Sequence, residues 1–302
     1  MSKEILLHIE HLKKSYGNHI VLKDVNMTIH RGDIYGFVGK NGEGKTTLIR
    51  ILAGLSFADS GEFSLFGISS RSRSIVKARR RICAMVESPA LIPDLTARQN
   101  MKVQCQILGK SYRCIEEYLS YVGLEATGKK KVKNFSLGMR QRLAIAIALI
   151  GEPEIMLLDE PTNGLDPAGI RQIRELLLKL NRKKKITMLI SSHILSELEM
   201  LAGIYGFISK GVIVKEATVE EIRAATAEKC YLETDNVPLA KEILEKQGYE
   251  TEIQKQGLHI MGDIDLMAVC AAFADKGIRL TKHVPDRIDL EEYFLTQIGG
   301  TK

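Results

Sequence analysis

The apolar run Ile34-Tyr35-Gly36-Phe37-Val38 gives way at Gly39 to a glycine-rich polar stretch, GKNGEGKTT, and apolar residues return at Leu48-Ile49-Arg50-Ile51-Leu52. This order predicts a strand, a glycine turn and the start of a helix. A second continuous apolar run, residues 155–158, ends in Asp159-Glu160. It predicts a buried parallel strand with two carboxylates at its C-terminal end, the sheet edge where ligands bind. Residues 185–191 predict a further strand, with His193 just beyond it. Residues 137–150 predict a helix whose second half, 143–150, is apolar all round and therefore buried. Ser136 is a good N-cap for it.

After Gly211 the pattern changes to short alternating elements. Strands are expected at 230–234, 249–254, 258–261 and 278–283, with a hairpin around Lys255-Gln256-Gly257. Helices are expected at 238–246, with Pro238 in the first turn, from a cap at Asp263 to Lys276, and at 290–298, where the last is amphipathic. This βαββαβ order predicts a small α+β, ferredoxin-like domain with no catalytic constellation, suited to a stabilising or regulatory role. The expected boundaries are a nucleotide-binding domain over 1–222, with a helical insert over about 88–150, and an accessory domain over 223–302.

The two polar ends carry the chemistry. Gly39, Gly42 and Gly44 let the loop containing Lys40, Asn41 and Glu43 curl until its N–H groups face phosphate oxygens, and the helix opening at Lys45 adds its positive end. Lys45 is placed to reach the β- and γ-phosphates, Thr46 to hold Mg²⁺ and Thr47 to support the phosphates. Asp159 orients Mg²⁺, and Glu160 polarises the attacking water. The motifs predict binding and hydrolysis of ATP.

Between them, Phe135-Ser136-Leu137-Gly138-Met139 stands where ATP-binding cassette (ABC) proteins carry their LSGGQ signature. Asn163-Gly164-Leu165-Asp166 matches their D-loop, His193 their switch histidine and Tyr16 their adenine-stacking aromatic. With every motif in order from about residue 5 to residue 211, the chain resembles an ABC ATPase. The resemblance implies an α/β P-loop fold with a mixed sheet and a helical subdomain. It also implies a head-to-tail pair, formed with a second copy or a paralogue, in which Ser136, Gly138 and Asp166 complete the partner's site. Residues 91–121 would contact integral membrane permease subunits, placing the chain at the cytoplasmic face of the membrane. Glu87 replaces the usual glutamine and would add an oxygen for Mg²⁺ and nucleotide. That departure, the Ser-Leu-Gly-Met signature and the C-terminal extension are similar to ATPases of bacterial exporters that protect against lantibiotics or bacitracin-type peptides. An exporter of a lipid or polysaccharide, and a non-transport ABC ATPase, stay open as alternatives.

Composition narrows this only modestly. At 302 residues with 45% hydrophobic content the chain can bury sizeable cores, and no apolar stretch approaches the roughly 20 residues of a membrane helix. The five cysteines show no zinc or disulfide spacing, which fits a reducing cytoplasm. A net charge of +6 gathers at 71–81, 129–133 and 182–185, as solvated faces or as attraction to anionic headgroups. Nucleic acid is not an expected partner, since no aromatics interleave with these charges.

Overall fold

The computed structural model describes residues 3–87, 90–225, 229–254, 257–261 and 264–286. They fall into two compact units, Met1–Val219 and Glu220–Lys302, each with its own apolar core.

In the first unit, β3 (Ile34–Val38), β6 (Ile82–Met85), β7 (Ile155–Asp159), β8 (Thr187–Ser192) and β9 (Ile204–Ser209) make a parallel region. Every residue of β3, β7 and β8 is buried, because helices cover both faces of such a sheet. That is why continuous apolar runs mark them. An antiparallel region is made by β1 (Ile5–Tyr16), β2 (His19–His30), β4 (Ser60–Leu65) and β5 (Ile68–Ser69). β10 (Val212–Thr218) joins the two, parallel to β2 and antiparallel to β9. The order is β5-β4-β1-β2-β10-β9-β3-β8-β7-β6.

β1 and β2 lie outside the predicted elements. Their buried residues, among them Leu7, Ile9, Leu12, Leu22 and Val25, are spaced irregularly because several register shifts break the β1–β2 ladder. A strict period of two is therefore missing.

Helix α1 (Lys45–Ala53) follows β3, and α2 (Ile75–Arg79) precedes β6. Between β6 and β7 stand α3 (Ala97–Leu108), α4 (Cys114–Tyr121) and α5 (Leu137–Leu149), which pack on one another. A capping box of Thr96 and Gln99 starts α3. Ser136 caps α5 by accepting from the Met139 amide, and Leu143, Ile145, Ala146 and Leu149 are buried as their all-round apolar pattern requires. α6 (Pro167–Lys184) leads to β8, which starts two residues later than predicted. Lys185 closes α6 in the left-handed conformation, at φ 56°, so it cannot begin a strand. α7 (Leu195–Leu198) follows β8, and α8 (Val219–Ala225) follows β10.

In the second unit, β11 (Lys229–Thr234), α9 (Val237–Lys246), β12 (Glu250–Gln254), β13 (Gly257–Met261), α10 (Leu266–Asp275) and β14 (Leu280–Asp286) follow in order. The sheet is antiparallel, β12-β13-β11-β14, and Leu232, Leu258, Ile260, Leu244 and Phe273 are buried in its core. Asn236 caps α9, with proline in the first turn. The cap of α10 is Asp265, whose carboxylate accepts from the Ala268 amide at 3.1 Å. The expected cap Asp263 and the expected helix 290–298 lie outside the described residues. Gly257 belongs to β13, opposite Gln254, and the last strand is shifted toward the C-terminus because Ile278 is spent in the core ahead of it.

Candidate active site

β3, β8 and β7 are neighbours and parallel, so the segments leaving their C-terminal ends share one sheet edge. Residues 39–45, the pair Asp159 and Glu160, and His193 meet there.

The loop after β3 needs its glycines for two separate reasons. A Cβ on Gly39 would stand 2.5 Å from Ile208 Cγ2 and 2.8 Å from the Ile208 carbonyl oxygen, so only a bare backbone fits against β9. Gly44, at φ 101°, takes the left-handed conformation that opens α1. No side chain caps that helix, which leaves its first amides available to an anion. Lys40, Asn41 and Gly42 are exposed at the rim of the loop, and Thr47 is half-buried on the first turn. Glu43 is turned aside, its carboxylate accepting from the backbone N–H of Lys210 at the β9–β10 turn. A carboxylate aimed inward would oppose a phosphate; this one does not.

Lys45 is buried with its ammonium inside the loop, donating to the carbonyls of Gly39 at 2.6 Å and Lys40 at 3.0 Å. It stands 3.6 Å from Glu160 Oε1. Burial pulls its pKa below the ordinary lysine range, and the Glu160 carboxylate pulls in the other direction. Thr46 donates its hydroxyl to Asp159 Oδ2 at 2.7 Å, so the first turn of α1 and the end of β7 are joined through two hard oxygens.

Asp159 and Glu160 are held differently. Asp159 is buried and accepts a second bond from the Ser191 hydroxyl at 2.6 Å. Glu160 takes a left-handed backbone, φ 46°, unusual for a residue with a Cβ. Its amide is anchored by donating to the Ser191 carbonyl at 3.2 Å and the Ser191 hydroxyl at 3.0 Å. This turns its side chain out of the strand, to where 20% of it is exposed and Oε2 lies 2.9 Å from His193 Nδ1. One serine thus positions both carboxylates. Sequence reasoning passed over it, although hydroxyl residues ending an apolar strand, Ser191-Ser192 before His193, were the available signal. Ser192 and Thr162 were also missed; both donate to Glu197, at 3.1 and 2.6 Å, and tie the segment after Glu160 to α7.

Glu87 departs from expectation. Its carboxylate accepts from the Arg50 guanidinium at 2.5 Å, on a side chain that is 64% exposed, and its backbone is left-handed at φ 60°. Arg50 sits more than a turn beyond Thr46 on α1, so the pair joins the segment after β6 to that helix.

The remaining expected residues are at the surface. Tyr16 ends β1, 48% exposed, with the Lys14 ammonium 5.1 Å from its ring centre. Ser136 is exposed at the start of α5, and Gly138 lies in its first turn near Leu165. Asp166 caps α6 by accepting from the Gly169 amide at 3.1 Å. The starts of α5 and α6 thus put Ser136 and Asp166 at exposed positions, with Gly138 half-buried beside Ser136.

The ABC transporter family model matches residues 22–163. The bacitracin transport ATP-binding protein BcrA of Bacillus licheniformis is 37% identical over 299 residues, 96% of each chain. The lantibiotic transport ATP-binding protein SrtF of Streptococcus pyogenes is 46% identical over 211 residues, 70% of this chain and 90% of that one. Among solved structures, the dimeric post-hydrolysis state of the ATP-binding cassette MJ0796, bound to ADP and Pi, matches with a TM-score of 0.63 at 28% identity, covering 71% of this chain and 99% of that chain.

Proposed function

The chain belongs to the ATP-binding subunits of ABC transporters and hydrolyses ATP, and on that premise we propose that it drives export of a peptide antibiotic or similar amphiphile through separate membrane subunits. The observation that carries the enzymatic part is the shared edge at which a buried lysine, a threonine hydroxyl and two differently held carboxylates converge. The cargo part is supported by likeness to the bacitracin transport protein over 96% of both chains, the C-terminal unit included. No helix among the described residues is long and apolar enough to cross a membrane. In this reading partner subunits form the passage and this chain docks at the cytoplasmic face.

In this reading the triphosphate lies against the amides of residues 39–47, including those of Lys40, Asn41 and Glu43. Lys45 exchanges the Gly39 and Lys40 carbonyls for β- and γ-phosphate oxygens, an exchange favoured because a charged acceptor bonds an ammonium more strongly than a carbonyl does. Tyr16 offers its ring to adenine. Glu160 takes the proton of the attacking water, and His193, already bonded to the same carboxylate, fixes its direction and meets the γ-phosphate.

Thr46 Oγ1 and Asp159 Oδ2 are hard oxygens of the type Mg²⁺ prefers, and among the described residues no three His, Cys, Asp or Glu gather as a metal site. The pair fits an ion that arrives with the nucleotide, held by these two residues. When bound, Mg²⁺ would neutralise charge on the phosphates. Glu87, paired with Arg50, ties the segment leading to α3 back to α1.

Ser136, Gly138 and Asp166 are assigned to the nucleotide of a second ATPase subunit, a copy or a paralogue. Residues 1–222 form the nucleotide-binding domain, with its helical insert at about 88–150. Residues 223–302 form a ferredoxin-like accessory domain, a reading supported by the β-α-β-β-α-β order and the strand sequence β14-β11-β13-β12.

The test is deletion in the producing or resistant cell combined with isolation of the tagged chain from detergent-solubilised membranes. Increased sensitivity to bacitracin-type peptides or lantibiotics, with an integral membrane protein held in stoichiometric amount, is expected. Unchanged sensitivity to every such peptide removes the cargo, and absence of a membrane partner removes the transporter assignment.

A further inference from the structure

Cys105, in the last turn of α3, and Cys114, the first residue of α4, stand at the two ends of one helix-to-helix turn. Their thiols converge on one acceptor, donating to the Ser111 carbonyl from 3.7 and 3.4 Å. Cys105 is fully buried, Cys114 is half-buried, and residues 106–113 between them are exposed. Packing explains one buried cysteine, since a thiol behaves as a small apolar group. It does not explain a second, more accessible thiol turned onto the same oxygen.

We propose that Cys105 and Cys114 are a dithiol modification site, which a peroxide converts to an intramolecular disulfide joining the end of α3 to the start of α4. The reaction begins at the accessible sulfur. Cys114 attacks one peroxide oxygen; an S–O bond forms, the O–O bond breaks, and hydroxide leaves as water with the Cys114 proton. The Cys105 sulfur then attacks the oxidised sulfur, the S–S bond forms, the S–O bond breaks, and a second hydroxide leaves as water with the Cys105 proton. The sulfurs lose two electrons and the peroxide becomes two waters. Burial first, and then the neighbouring Cys114, raise the Cys105 thiol above its ordinary pKa, so the peroxide reacts first at the more accessible Cys114. At Cys83 burial alone pushes the thiol to about 11, keeping it protonated and slow. Closure of the ring tethers the exposed end of α3, with Ile107 71% exposed, to the exposed turn that carries Tyr112.

The experiment uses the full chain, reduced, freed of reductant and treated with hydrogen peroxide, after which remaining thiols are alkylated in denaturant. Alkylatable cysteines are expected to fall from five to three, the two proposed partners being consumed. Trypsin, cutting after Lys102, Lys110, Arg113 and Lys129, should then release peptides 103–110 and 114–129 as one species that a reductant separates. Cys114→Ser should abolish the link, and so should Cys105→Ala, which keeps the buried position apolar. Amide exchange over 106–113 should slow in the oxidised chain and be unaffected by peroxide in Cys114→Ser. A sulfinic acid on Cys114 with Cys105 still alkylatable, a link to a different cysteine, or a link between two chains would each overturn the proposal.

Discussion

Ser191 shows how much of the site hangs on single atoms. Its hydroxyl bonds Asp159 and receives the Glu160 amide, so Ser191→Ala removes one hydrogen bond from each acid's anchorage at once. Turnover should fall while ATP affinity, assigned in the proposed reading to residues 39–47, changes little; a rise in KM at constant kcat would contradict this role. Glu160→Gln should lower turnover roughly 10²- to 10⁴-fold, the range for general-base help, with binding of labelled ATP retained. Hydrolysis close to normal in that variant would remove Glu160 from proton transfer. Gly39→Ala drives a methyl into Ile208 and should destabilise the chain by about 1–3 kcal/mol in chemical denaturation, as overpacking does. The Arg50–Glu87 pair is largely exposed, so a double-mutant cycle with Arg50→Gln and Glu87→Gln should return no more than about 1 kcal/mol of coupling. A larger value would mean that the pair holds the loop more firmly than its exposure allows.

Among elements, α5 has two duties that pull its sequence apart. Its second half is apolar all round because it is enclosed, while its start is polar and open, with Ser136 both capping the helix and facing outward. Ser136→Ala should therefore cost about 1 kcal/mol of stability through loss of the cap. Ser136→Arg is expected to leave ATP binding by the single chain intact and to block closure over a partner's nucleotide. The short strands β3, β7 and β8 were readable as apolar runs because both faces are covered. β1 and β2 were not readable, because register shifts and charged residues erase the period of two.

For the whole molecule, the proposed sharing of Ser136, Gly138 and Asp166 at the starts of α5 and α6 with a partner's nucleotide is testable by mixing variants. Mixing Lys45→Ala chains with Ser136→Arg chains leaves each mixed pair at most one undamaged site. Partial recovery of hydrolysis on mixing is expected, when neither variant is active alone. No recovery, with each variant shown to fold and pair, would sink the shared-site arrangement.

The amino-acid sequence alone determined the strand–loop–helix that holds Lys45 and Thr46, the carboxylates at the end of β7, and the alternation of elements between residues 229 and 286, because each depends on contacts between near neighbours in the chain. Asp265 as the cap of α10 was missed by two positions, which is the usual uncertainty of a helix end. Only the tertiary structure decided where long side chains point. Arg50 captures Glu87 from another element, Lys210 draws Glu43 aside, and Ser191 on β8 orients the acids of β7. Each is a choice among partners brought together by strand order, and the energy separating those partners lies in distance and burial, which a linear pattern does not contain.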